Sequence, residues 1–234
     1  MIIGEQKRLE EVAGMLEGQR RILVAGCRSC VAICLAGGEK EVALLAESLR
    51  LLSSLRSKGW EIEEATVERQ CEREWVTELA PRIEGKDAVL SLACGVGAQT
   101  IQAIYPKVRV LPGLNTSNMG APEEAGIFVE KCGGCGDCVL HLTGGICPIA
   151  RCAKSLLNGP CGGSQGGKCE VSPLTPCAWE EIHRSLQALG RLDLLEEPIP
   201  PKSWLPARDG GPRRIVNHEA VLTEEQKRMK GGRA

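Results

Sequence analysis

The stretch from Cys132 to Cys177 constrains the chain most. It reads CGGCGDCVLHLTGGICPIARCAKSLLNGPCGGSQGGKCEVSPLTPC and holds Cys132, Cys135, Cys138, Cys147, Cys152, Cys161, Cys169 and Cys177, eight of the 13 cysteines. Glycine and proline are too dense here for the segment to fold around an apolar core. Metal sites bound by thiolates are the alternative source of order, and eight thiolates suffice for two four-cysteine sites. A disulfide framework belongs to secreted chains. The opening MIIGEQKRLEEVAG has no apolar signal region, so the cysteines are expected in a reducing cytoplasm.

The spacing points to iron. Cys132, Cys135 and Cys138 form C-x2-C-x2-C, the opening of the bacterial ferredoxin run, and Cys147-Pro148 repeats its remote ligand followed by proline. Gly133, Gly134 and Gly136 allow positive φ and close approach of backbone N–H groups to sulfur. Eight residues separate Cys138 from Cys147, however, where the ferredoxin run has about three, so Cys147 and Cys152 compete as fourth ligand. The second set is Cys161, Cys169 and Cys177 with whichever of Cys147 and Cys152 remains; here zinc rivals iron–sulfur, because zinc also accepts four cysteines. His141 and His183 are not needed as ligands beside eight thiols.

The rest of the chain is more ordinary. Net charge is −1, which recommends no nucleic-acid partner, and no apolar stretch approaches a membrane span. With one Phe and one Tyr, the chain lacks the usual stacking partners of a flavin. Helical periodicity predicts helices at Glu5–Gln19, Glu39–Lys58, Glu72–Ile83, Gln99–Ile104 and Ala178–Leu189. Short apolar runs predict strands at Arg21–Ala25, Ile62–Val67, Ala88–Ala93 and Val108–Leu111. Strands alternating with helices imply an α/β fold: a small doubly wound parallel sheet of the flavodoxin-like kind, followed by an irregular cysteine-rich metal-binding module. The expected divisions are residues 1–120, 121–190 and a Pro-rich extended tail at 191–234. Pro112–Pro122 reads as a connector, and the tail as an arm lying on a partner or as disorder.

The other five cysteines sort to one place. Cys27 follows the first predicted strand, with Cys30 and Cys34 just beyond it; Cys71 follows the second strand and Cys94 the third. All therefore fall at the carboxyl edge of the sheet, where open α/β folds put ligands. The expected set is a [4Fe–4S] cluster on Cys27, Cys30, Cys34 and Cys94, with Cys71 as the competitor for the last position. Gly95 and Gly97 are read as letting backbone pass closely over that cluster. As a dinucleotide fingerprint the GVGAQT turn is poor, since the third glycine of G-x-G-x-x-G is missing.

Several strings together, GCRSCVAICLAGGEKEVALLAESLR, TVERQCE, LSLACGVGAQT, LPGLNTS and the long cysteine-rich run, resemble the MetV-type cysteine-rich subunits of methylenetetrahydrofolate reductase. The resemblance reaches nearly to Pro206. It implies a cytoplasmic oxidoreductase subunit of the Wood–Ljungdahl methyl branch in acetogens, carrying [4Fe–4S] clusters and a zinc-binding C-terminal region. It implies a flavin-bearing TIM-barrel partner whose FMN reduces methylenetetrahydrofolate to methyltetrahydrofolate. Electrons would come from ferredoxin, a hydrogenase or a heterodisulfide-reductase-like module. No paired carboxylate or nucleophile–base couple stands out, so no catalytic acid or base is assigned to this chain. The rival reading is a structural zinc protein that only shapes an assembly.

Overall fold

The computed structural model describes residues 1–223 and Gln226 of the 234-residue chain. Strand β1 (Ile2–Gln6) is followed by helix α1 (Leu9–Met15) and by β2 (Arg21–Cys27), which is buried at every position after Arg21. Next come α2 (Cys30–Ile33), α3 (Glu39–Leu55), β3 (Glu61–Val67), α4 (Arg73–Thr77), α5 (Ala80–Ile83) and β4 (Ala88–Leu92). Helix α6 (Gly95–Ile104), β5 (Arg109–Pro112), β6 (Leu114–Glu124) and β7 (Ile127–Cys132) lead into the cysteine-rich region. That region holds α7 (Pro148–Arg151), β8 (Lys168–Cys169), β9 (Ser172–Pro176) and α8 (Ala178–Ala188).

Four parallel strands form the main sheet in the order β3-β2-β4-β5. Successive side chains of β2 point to opposite faces, so Ile22 and Val24 join one core with Val12, Leu16, Val42, Ala46 and Leu49, from α1 and α3. Leu23 and Ala25 join the other with Val76, Leu79, Ile83 and Ile101, from α4, α5 and α6. A strand covered on both faces is apolar throughout rather than alternating, as RILVAGC is. Helix α3 needs only one apolar stripe, and Val42, Leu45, Ala46 and Leu49 supply it at helical spacing. Strand order reverses between β2 and β4, which opens a crevice at their carboxyl ends.

A second, antiparallel sheet has the order β1-β6-β7. It corrects two expectations. The helix predicted from Glu5 begins only at Leu9, because Met1 to Gln6 pairs with β6 and buries Ile3. The expected connector at Pro112–Pro122 is largely β6, the longest strand, which spans position 120. Its Asn, Gly and Pro residues argue against a strand locally, but pairing on both edges overrides that preference. Gly120 fits because Val129 backbone lies where a side chain would stand. The helix predicted at Glu72–Ile83 is two helices, since Pro81 lacks the N–H that would continue the first.

The cysteine-rich region also departs from expectation in having a small core. Trp179, Ile182 and Leu186 of α8 are buried, with Ile146, Cys152, Cys177 and Leu194 packed on them. Trp179 Nε1 donates to the Leu156 carbonyl at 3.0 Å, and Ser185 Oγ to that of Gly144 at 2.8 Å. The tail lies on this same region: Asn158 and Ile199 exchange two hydrogen bonds of 2.8 Å. Disorder expected at the end of the tail falls partly on positions 224, 225 and 227–234, outside the described residues. Among the described residues no helix is long and apolar enough to cross a membrane.

Candidate metal centres

The eight cysteines of the module divide between two cavities. The first, of about 340 Å³, is lined by Cys132, Cys135, Cys138 and Cys147. The second, of about 20 Å³, is lined by Cys152, Cys161, Cys169 and Cys177. Cys147 thus stands with the C-x2-C-x2-C run and Cys152 with the later three. Among the described residues no three Cys, His, Asp or Glu side chains are drawn together tightly enough to hold a single metal ion. A cubane keeps its thiolates further apart than one ion does, and the larger cavity has room for it.

Backbone amides already serve the first set. β7 delivers Cys132, whose Sγ accepts from Gly134 N–H at 3.4 Å; positive φ at Gly134, 64°, turns that amide back. Cys147 caps α7, its Sγ accepting from Ala150 N–H at 3.4 Å. Cys135 Sγ accepts from Lys202 Nζ at 3.0 Å. Burial pushes the Cys135 thiol up, but the Lys202 ammonium and hydrogen bonding around Asp137 outweigh it and hold the thiol below its ordinary value. In the second set Cys177 caps α8 and Cys169 ends β8. The backbone at Gly163, followed by nearby Lys154, lowers exposed Cys161.

At the carboxyl edge of the parallel sheet, Cys27 ends β2, Cys30 begins α2, Cys34 closes it, Cys94 caps α6, and exposed Cys71 lies in the turn before α4. Burial raises the Cys71 thiol, and the neighbouring Cys27 and Cys94 raise it further. Cys34, buried like Cys27, has its Sγ 3.6 Å from the carbonyl of Ile2 in β1. Cys30 is its charge neighbour.

Sequence reasoning missed the residue that holds this edge. Gln70 is fully buried; its Nε2 donates to the carbonyls of Ala25 and Gly26 at 2.8 and 2.9 Å, and its Oε1 accepts from Ser91 Oγ at 2.6 Å. One amide therefore ties the ends of β2 and β4 to the turn bearing Cys71. Gly97, read as making room for a cluster, packs against this latch: a Cβ there would meet the Cβ atoms of Gln70 and Ala93 at 2.8 Å. Gly95 donates its N–H to Thr116 Oγ1 at 2.8 Å. A glutamine in a turn carries no signal that it is buried, and Lys202 in a Pro-rich tail carries none that it reaches a thiol.

No curated protein and no solved structure matches the chain. Residues 111–205 match the family described as "Methylene-tetrahydrofolate reductase C terminal". That segment contains β6, β7 and all eight module cysteines.

Proposed function

We propose that this chain is the iron–sulfur electron-transfer subunit of a methylenetetrahydrofolate reductase complex. It would pass electrons to the FMN of a separate flavin-bearing TIM-barrel subunit, which reduces methylenetetrahydrofolate to methyltetrahydrofolate. The observation that carries this reading is the division of the matched segment's eight cysteines into two four-cysteine cavities. The strand order of the parallel sheet supports a flavodoxin-like first unit, and the crevice between β2 and β4 is where its cysteines converge. The cytoplasm as compartment, the Wood–Ljungdahl methyl branch as setting, and ferredoxin, a hydrogenase or a heterodisulfide-reductase-like module as donor follow from the family resemblance.

The residues fit their groups unequally. Cys132, Cys135, Cys138 and Cys147 would hold a [4Fe–4S] cluster, with the Gly134 and Ala150 amides donating to sulfur as such thiolates require. Cys152, Cys161, Cys169 and Cys177 line the second cavity and would hold the second metal group, an iron–sulfur cluster or a zinc ion. At the sheet edge Cys27, Cys30, Cys34 and Cys94 would hold a further [4Fe–4S] cluster, with Cys71 as the competitor for the last position. A bound cubane supplies one-electron transfer; the protein's part is to place the thiolates, donate to their sulfurs and exclude competing ligands.

Metal analysis and EPR of anaerobically purified protein test the reading. Cys138→Ser and Cys94→Ser should each remove about four irons, the content of one cubane, and Cys169→Ser should remove the second module group, its loss as iron or as zinc identifying the metal. Cys71→Ser should keep the sheet-edge iron; loss of iron from Cys71→Ser with retention in Cys94→Ser would make Cys71 the ligand. A colourless protein holding only zinc would establish the structural alternative.

A further inference from the structure

The tail, read from sequence as an arm for a partner, is laid over the first cysteine cavity of its own chain. Pro206 packs so closely on Gly136 that a Cβ there would meet Pro206 at 2.6 Å. Arg213 donates to the carbonyls of Gly134, at 3.4 Å, and of Pro206. Between these anchors and Ile199 the arm carries Lys202 inward. Its Nζ donates to Cys135 Sγ at 3.0 Å and to the Asp137 carbonyl at 2.5 Å, and lies 5.2 Å from the centre of the Trp204 ring. A sulfur, a carbonyl and an aromatic face hold one ammonium in place.

We infer that Lys202 is a tuning residue of the Cys132–Cys147 centre: the arm delivers a fixed positive charge to a ligand sulfur and so raises the centre's reduction potential. This rests on the iron–sulfur reading of that cavity. Reduction adds one negative charge to a cubane. A cation in hydrogen-bond contact with its sulfur therefore stabilises the reduced form more than the oxidised one. Hydrogen bonds to ligand sulfurs from the Gly134 and Ala150 amides are short-range and built into the loop. Lys202 differs in coming from a segment remote in sequence, so whatever shifts the arm shifts the potential.

The test is an EPR-monitored redox titration of the full chain. Cys138→Ser first identifies the signal of this centre by its loss. In Lys202→Met that signal's midpoint should fall while its iron and the midpoints of other signals stay as in the native chain. Lys202→Gln, which keeps a donor but no charge, should fall likewise, and Lys202→Arg should stay near native. An unchanged midpoint in Lys202→Met at full iron content overturns the tuning role, as does an equal fall in Lys202→Arg. Loss of iron from Lys202→Met would make the residue a structural strap instead. If every signal survives Cys138→Ser, the assignment of this cavity fails, and the inference with it.

Discussion

Asp87 shows how a single half-buried side chain can contribute to the acid limit of the parallel sheet. Its carboxylate accepts from the backbone N–H groups of Arg20 and Arg21, at 3.0 and 2.7 Å, and from the Arg21 guanidinium at 2.9 Å. The Arg21 backbone bond, then its side chain and the Arg20 amide, lower the carboxyl from 3.8 to about 2. A carboxylate depressed in the folded state stabilises it above the unfolded value, and that contribution disappears as pH falls from near 3.8 through about 2. Thermal unfolding followed across this window should show a shallower acid loss in Asp87→Asn than in the native chain; parallel curves would refute it. At this scale the sequence exposes its cysteines but hides their supports. The thirteen thiols and their clustering are visible because spacing is chemistry. Gln70 and Lys202 are not, because burial of an amide and the path of a proline-rich arm are decided by tertiary packing.

Among elements, α6 is the informative one. Sequence periodicity starts it at Gln99, yet it begins at Gly95, because its first turn is built from small residues that carry no apolar stripe. Gly97 lies in that turn against Gln70. Replacing a helical glycine by alanine gains up to about 1 kcal/mol from propensity, but overpacking a tight contact costs about 1–3 kcal/mol. Gly97→Ala should therefore be destabilising on balance. Gly14 in α1, where a Cβ would meet nothing within 4 Å, is the control, and Gly14→Ala should be stabilising. Chemical denaturation of both variants decides it; the same sign for both would show that Gln70 gives way. The four parallel strands and α3 were legible because buried strands are continuous apolar runs and a half-buried helix must carry a stripe. β6 was not, since its order comes from pairing, on one edge with β1 over a hundred residues away, rather than from its own composition.

For the whole molecule the decisive contrast is between the two ways its parts are held. The parallel-sheet region buries two apolar clusters, one on each face. The module has Trp179, Ile182 and Leu186, too little to order a segment of this length unaided. Metal removal should therefore expose amides of residues 132–177 to hydrogen exchange while α3 stays protected. Unchanged protection of the module after complete chelation would show that its small core suffices.

The antiparallel sheet adds a constraint in time. Met1 and Gly120 are hydrogen-bonded across 119 positions of chain. At a synthesis rate of about 5–20 residues per second, β1 waits on the order of ten seconds on the ribosome before its neighbour exists. During that interval the apolar Ile2-Ile3 edge is unpaired and open to other strands. β7 then follows β6 within a few residues, so the cysteines of the first cavity emerge just as the sheet that carries them can close. Slow codons ahead of β6 would prolong the exposed state, and the yield of folded chain should fall accordingly.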